Sequence, residues 1–162
     1  MKKKFVVCHN IEGKKRRISA DKMVFRPSVY GILIERGRIL LSKQWDGYDF
    51  PGGGSEMYET VEQTLRREFW EETGYRVKVG KIIHVDTSFF SLKYVKTHAN
   101  CTLMYFLVKR IGGKISTANF DEHEKKYASA AEWIPLSKIS KIKFYNMFGR
   151  ASVKIIRKAL RT

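Results

Sequence analysis

Five charged side chains within a short span have types and spacing suited to chemistry: Glu59, Arg67, Glu68, Glu71 and Glu72, with three consecutive glycines, Gly52, Gly53 and Gly54, just before them. Carboxylates this close together repel one another, and burying them unpaired is costly. A divalent cation resolves that conflict, because Mg²⁺ takes oxygen ligands and keeps waters and substrate phosphates in its shell. On an ordinary acidic helix such glutamates are simply solvated. Two features argue otherwise here. The carboxylates overlap an apolar stripe, and a glycine run precedes them.

The element that must position these groups reads as a helix. Thr60 and Gln63 fit a capping box at its start, and Gly74 suits the left-handed residue just past its end. At about 100° per residue, Val61, Leu65 and Phe69 make an i, i+4, i+8 stripe. Glu68 and Glu72 fall in the same sector, with Glu71 beside it. Gly52 to Gly54 are expected to form a loop whose backbone can approach a ligand closely.

Residues 53–75 closely resemble the signature of the Nudix hydrolases, G-x5-E-x7-R-E-U-x-E-E-x-G-U with U a bulky apolar residue. Gly53, Glu59, Arg67, Glu68, Phe69, Glu71, Glu72, Gly74 and Tyr75 occupy its fixed positions. Phe69 and Tyr75 are aromatic where the family more often carries aliphatics. Phe50-Pro51-Gly52 looks like the family's lead-in. The resemblance implies an α+β fold, an α/β/α sandwich around a mixed sheet. It also implies Mg²⁺-dependent hydrolysis (Mn²⁺ as a substitute) of a nucleoside diphosphate linked to another moiety. Glu68, Glu71, Glu72 and the Gly52 carbonyl are the implied metal ligands. Glu68, or a loop acid upstream of Trp133, either Glu122 or Glu124, is the implied base, and Glu72 belongs to the same catalytic set.

Arg67, Trp45 and Tyr48 are the candidates on the substrate side. Arg67 sits one turn before Glu71 and is better placed to orient a carboxylate such as Glu59 than to touch substrate. Trp45 or Tyr48 could stack on a base, and packing explains each equally well. Other motifs are excluded. Gly47 to Gly52 has P-loop spacing, but Gly53 stands where a lysine is needed. Met57 replaces the third glycine of a dinucleotide fingerprint, and no G-x-S-x-G elbow occurs.

The chain of 162 residues, 43% hydrophobic, is expected to be one domain with a real core. Its net charge of +16 suggests polyanionic ligands. Cys8 and Cys101 have no metal or redox spacing, so a reducing cytoplasm is the default location. The apolar run after Met1-Lys2-Lys3-Lys4 is too short for a signal peptide, and no stretch spans a membrane.

In chain order, a hairpin over about residues 1–22 has strands at 3–8 and 15–19. Its basic run, Lys14 to Arg17, is read as a solvated strand edge. Arg26-Pro27 is expected to break the chain before a strand at 28–34, and a second strand follows at 38–43. Beyond the helix, residues 76–90 should be strand-rich with a turn at Gly80-Lys81, followed by a basic loop at 91–97. A strand at 98–110 starts at His98, read as structural, and ends in a turn at 111–114. A polar loop at 119–131 carries Asp121, Glu122, His123 and Glu124, and precedes a last strand at 132–136. An amphipathic helix over about 145–160 presents Phe148, Ala151, Ile155 and Ala159. The favoured substrate is a small nucleotide: a nucleoside triphosphate, an oxidised nucleotide or an ADP-ribose type. The alternatives are hydrolysis at an RNA 5′ end, and a non-catalytic nucleotide- or RNA-binding regulator. A homodimer is a further expectation.

Overall fold

The computed structural model describes residues 3–92, 97–122, 124–145 and 149–162. His123, Phe148, the middle of the 91–97 loop and the start of the expected C-terminal helix lie outside the described residues.

The described residues form nine strands and two α-helices, in the order β1 (Phe5–His9), β2 (Lys15–Ser19), β3 (Met23–Glu35), β4 (Arg38–Gln44), β5 (Gly47–Asp49), β6 (Gly52–Gly54), α1 (Val61–Thr73), β7 (Tyr75–Leu92), β8 (Thr97–Gly113), β9 (Ala128–Pro135) and α2 (Gly149–Ala159). The sheet runs β2-β1-β7-β8-β3-β4-β5, with β6 added to β3 and β9 to β4. It is mixed: β1 with β7 and β3 with β8 are parallel, and the remaining pairs are antiparallel. The basic strand β2 is an outer edge, as its charge predicts.

Alternation along the strands builds two apolar layers. On one face Val29, Leu33, Leu40, Val77 and Val108 pack with Leu65 and Phe69 of α1. On the other, Ile32, Ile39, Leu41, Phe50, Leu103 and Tyr105 pack with Ile155, Ile156 and Ala159 of α2. The arrangement is an α/β/α sandwich. Each fully buried Leu, Ile or Phe stabilises it by roughly 1.5–3 kcal/mol. Among the described residues no helix is long and apolar enough to cross a membrane.

Four local expectations are corrected. Gly52 to Gly54 form not an open loop but a short strand, β6, paired with Ser28 to Tyr30 of β3. Pro27 does not break β3, which runs from Met23 to Glu35. The Pro27 carbonyl accepts from Ser55 N at 3.0 Å on the β6 side, just where that strand ends. The proline nitrogen faces the same side, so its missing donor interrupts no ladder there. Gly80-Lys81 makes a bulge inside one long β7 rather than a turn, because β8 pairs with β7 on both sides of it. Gly112 and Gly113 stay in the ladder, opposite Arg76 and Tyr75. In α2 the buried face comprises Ser152, Ile155, Ile156 and Ala159, with Ala151 half-buried at its margin.

The glycines of β6 are required by close approach. A Cβ at Gly52, where φ is +148°, would stand 2.1 Å from the Val29 carbonyl oxygen. Gly52→Ala should therefore destabilise the fold by about 3 kcal/mol, combining steric and backbone strain. Gly13→Ala, at φ +76° with nothing within 4 Å, should cost only about 1 kcal/mol. Urea unfolding of the two variants checks the contrast, and equal losses would contradict it.

Candidate active site

The helix α1 is fixed at both ends by the residues that its sequence nominates. Thr60 Oγ1 accepts from Gln63 N at 3.2 Å, and Gln63 Oε1 accepts from Thr60 N at 2.8 Å. Gly74 closes the helix in the left-handed region, φ +78°, donating to the Trp70 carbonyl. Leu65 and Phe69 are fully buried, whereas Val61, at the head of the stripe, lies at the exposed rim.

Arg67 is the hub of the acidic cluster. Its Nε donates to Glu59 Oε1 at 2.6 Å and one terminal nitrogen to Glu59 Oε2 at 2.9 Å, a two-pronged pair. The other terminal nitrogen donates to Glu68 Oε1 at 2.8 Å and Glu71 Oε2 at 3.0 Å. A contact of 3.3 Å reaches the Gly54 carbonyl. Glu59 is only 8% exposed, and Thr64 Oγ1 also donates to it at 3.0 Å. The Arg67 hydrogen bond holds the Glu59 carboxyl down at about 2.

Glu72 lies deeper. The residue keeps some surface, but its carboxylate is enclosed, and Oε2 accepts from Ser42 Oγ at 2.6 Å and Gly52 N at 3.1 Å. Burial pushes its pKa well above the usual range, and the charge of Glu68 adds to the rise. Glu68 is also raised, chiefly by burial. A Cβ on Gly53 would lie 2.6 Å from its carboxylate, so β6 presents bare backbone to that acid. Glu124, in a short 3-10 turn (Glu124–Lys126), is raised by burial and by neighbouring charges that include Glu71. Its own charge acts on Glu68 and Glu72. The fold thus brings Glu68, Glu71, Glu72 and Glu124 into one electrostatic unit.

Glu122 stays outside that unit. It is 89% exposed and pairs with Lys125 at 2.6 Å. Trp45 stacks on Tyr127 with centroids 4.9 Å apart and meets Tyr145 edge-on at 5.1 Å. Tyr48 donates to Glu132 at 2.6 Å, and Lys43 Nζ pairs with the same carboxylate at 2.7 Å. Arg67 is engaged with carboxylates throughout. His98 Nδ1 lies 2.9 Å from Ser91 Oγ across the β7–β8 ladder.

Two residues escaped the sequence reading. Ser42 anchors Glu72, and nothing in its local pattern announces a partner 30 positions away. Arg26 lies flat on Gly54, where a Cβ would be 2.5 Å from its guanidinium, and donates to Ser28 Oγ at 3.0 Å. It has no acidic partner among the described residues. The alternation Arg26, Ser28, Tyr30 was the only signal in the sequence, and its place beside the glycine run follows from the pairing of β3 with β6. Glu68 and Arg26 therefore press on opposite faces of β6.

Among the described residues no three His, Cys, Asp or Glu side chains converge as a ready cation cage. Arg67 draws Glu68 and Glu71 toward itself, which accounts for that. The donor set still fits a hard divalent cation: several oxygen ligands of like charge, two with burial-raised pKa values, beside half-buried glycine backbone that carries no side chains. Glu68, Glu71 and Glu72 are the residues able to hold it.

Comparison with known proteins agrees with this geometry. The NUDIX domain family profile matches residues 24–153. A MutT-like protein of Streptomyces ambofaciens is 31% identical over 116 residues, covering 70% of this chain and 66% of that protein. An ADP-ribose pyrophosphatase of Methanocaldococcus jannaschii is 28% identical over 138 residues, covering 81% of this chain and 75% of its own length. The crystal structure of an ADP-ribose pyrophosphatase from Streptococcus suis shares the fold, with a TM-score of 0.60 at 14% identity, covering 85% of this chain and 92% of that one.

The Glu59–Arg67 pair sets a pH dependence. A carboxyl held at about 2, against an ordinary 4.5, contributes stability that is complete above 4.5 and is lost as pH falls toward 2. Arg67→Ala should cost about 3 kcal/mol or more near neutrality, because it strands a nearly buried carboxylate. The penalty of Glu59→Gln should shrink progressively below about pH 4.5. Urea unfolding across pH measures both, and a Glu59→Gln penalty independent of pH would contradict the assignment.

Proposed function

This chain belongs to the NUDIX domain family and is a hydrolase of phosphorus-containing acid anhydrides, and from that premise we propose that it cleaves the diphosphate of a small nucleotide, a nucleoside diphosphate linked to another group. The carrying observation is the cluster of Glu68, Glu71 and Glu72 against the bare backbone of β6, with the guanidinium of Arg26, which has no acidic partner among the described residues, on that strand's other face. The ADP-ribose pyrophosphatase names of two relatives support the nucleotide class.

Glu68, Glu71, Glu72 and the Gly52 carbonyl would hold Mg²⁺, or Mn²⁺ in its place. When bound, the ion supplies charge neutralisation at the phosphates and a more acidic water. The chain's own groups do the rest. Arg67 fixes Glu68 and Glu71 in position and, through Glu59, ties the 54–60 connection to α1. Glu68 or Glu124, both with raised pKa values, accepts a proton from the attacking water. The water oxygen bonds to phosphorus as the anhydride P–O bond breaks, and the leaving phosphate takes the electron pair. Arg26 binds a phosphate oxygen at the edge of β6, where both faces of the strand are within reach. Trp45 and Tyr48 would border the nucleoside, although the first is stacked on Tyr127 and the second bonded to Glu132.

The net charge of +16 favours one alternative, attack at the 5′ end of RNA. A panel of ADP-ribose, ordinary and oxidised nucleoside triphosphates, dinucleoside polyphosphates and 5′-triphosphorylated RNA, with and without Mg²⁺, separates the readings. We expect Mg²⁺-dependent turnover of a small nucleotide that chelator abolishes and that Glu72→Gln lowers by more than about 100-fold. Turnover of the RNA alone would move the assignment to the RNA end. Tight binding with no turnover on the panel would replace it with a binding module.

Arg26→Gln should raise KM about tenfold or more while leaving stability within about 1 kcal/mol of the parent. Steady-state kinetics alongside urea unfolding reads both. An unchanged KM and kcat would remove Arg26 from the substrate.

A further inference from the structure

Away from the acidic cluster, the same face of the sheet carries a second concentration of arginine. Alternation places Glu35, Arg38, Arg110, Trp133 and Tyr75 on the α1 side: each continues a run that includes Leu33, Leu40, Val108 or Ala131 in the α1-side core, and Tyr75 and Trp133 themselves pack with it. The strands β8, β3, β4 and β9 are successive neighbours, so these side chains form one surface past the end of α1. Between them lies a cleft of about 440 Å³ lined by Glu35, Arg36, Arg38, Arg110 and Trp133. That volume is within the range of small-ligand sites.

The charges there are unevenly satisfied. Arg110 is held by Glu35 in a two-pronged pair, 3.1 and 2.7 Å, and lies 5.0 Å over the Tyr75 ring. Arg36 and Arg38 have no acidic partner among the described residues. Arg36 is also held at φ +48°, an uncommon conformation for a residue with a side chain. Trp133 is half-buried, with its Nε1 3.5 Å from Tyr75 Oη, which fixes the indole as one wall. Two unpaired guanidiniums beside a fixed indole are the parts that grip a phosphate and stack a base.

This place is distinct from the acidic cluster. Arg38 and Ser42 share one face of β4, four residues and about 13 Å apart, and Leu40 between them is buried under α1.

We infer that this cleft is a second binding site, for a nucleoside phosphate, with the phosphate on Arg36 and Arg38 and the base against Trp133. The ligand is either a free mononucleotide or the nucleotide of an RNA strand, since both offer the same phosphate and ring. The site needs no divalent cation, which separates its failure from any failure of the hydrolase reading.

The test is an NMR or calorimetric titration in chelator, where the acidic cluster holds no cation and nothing is hydrolysed. The probes are AMP, inorganic phosphate and a short 5′-phosphorylated RNA. We expect saturable AMP binding that weakens at least tenfold in Arg36→Gly/Arg38→Gln. Arg36→Gly relieves the left-handed backbone, so lost folding cannot explain lost binding. Trp133→Leu should weaken AMP but leave inorganic phosphate unaffected. Equal affinity for AMP and the RNA assigns the site to a free nucleotide; tighter RNA binding that falls steeply with salt assigns it to a strand. No saturable binding of any probe, or binding unaltered by the double substitution, would overturn the proposal.

Discussion

One guanidinium makes the acidic cluster tolerable. Four carboxylates, Glu68, Glu71, Glu72 and Glu124, lie near enough to α1, β6 and the turn carrying Glu124 to raise one another's cost of ionisation. Arg67 binds three glutamates and the Gly54 carbonyl, neutralising part of that charge and linking the helix to the segment that leads into it. The link is double-ended. The carboxylates position the arginine as much as it positions them, so removing either side leaves buried charge uncompensated. The capped ends of α1 set the helical phase on which all of these distances depend.

The glycine strand is the second constraint. It occupies a gap too narrow for side chains, with Val29 and Tyr30 behind it, Glu68 on one face and Arg26 on the other. The chain thereby offers backbone where opposite charges approach from two directions. A strand of glycines is intrinsically weak. This one persists because β3 supplies a paired edge and neighbouring side chains wall it in.

Much of this was legible from residue types and spacing: the extent and caps of α1, the glutamate set, the Glu59–Arg67 link and the basic outer edge; the sandwich came from the resemblance to the Nudix hydrolases. What escaped depended on contacts distant in sequence. Ser42 reaches Glu72 only because β4 passes beneath the helix. Pro27 and Gly80-Lys81 read locally as interruptions, yet long ladders with β8 carry the chain straight through both. The three glycines read as a loop because the partner strand that orders them cannot be seen in their own composition. Of two loop acids with equal claims by position, only Glu124 turns inward, and a local 3-10 turn decides that.

The length of β3 has a consequence for the kind of molecule that this surface can accommodate. Arg26 stands near its first residues and Glu35 is its last, with Arg36 immediately after. At about 3.3 Å per residue, the strand acts as a ruler of roughly 30 Å between those arginines. It pairs with β8 over most of that length, so it cannot shorten by bending. A mononucleotide can occupy one or the other but never both, and only a longer polymer could touch the two at once.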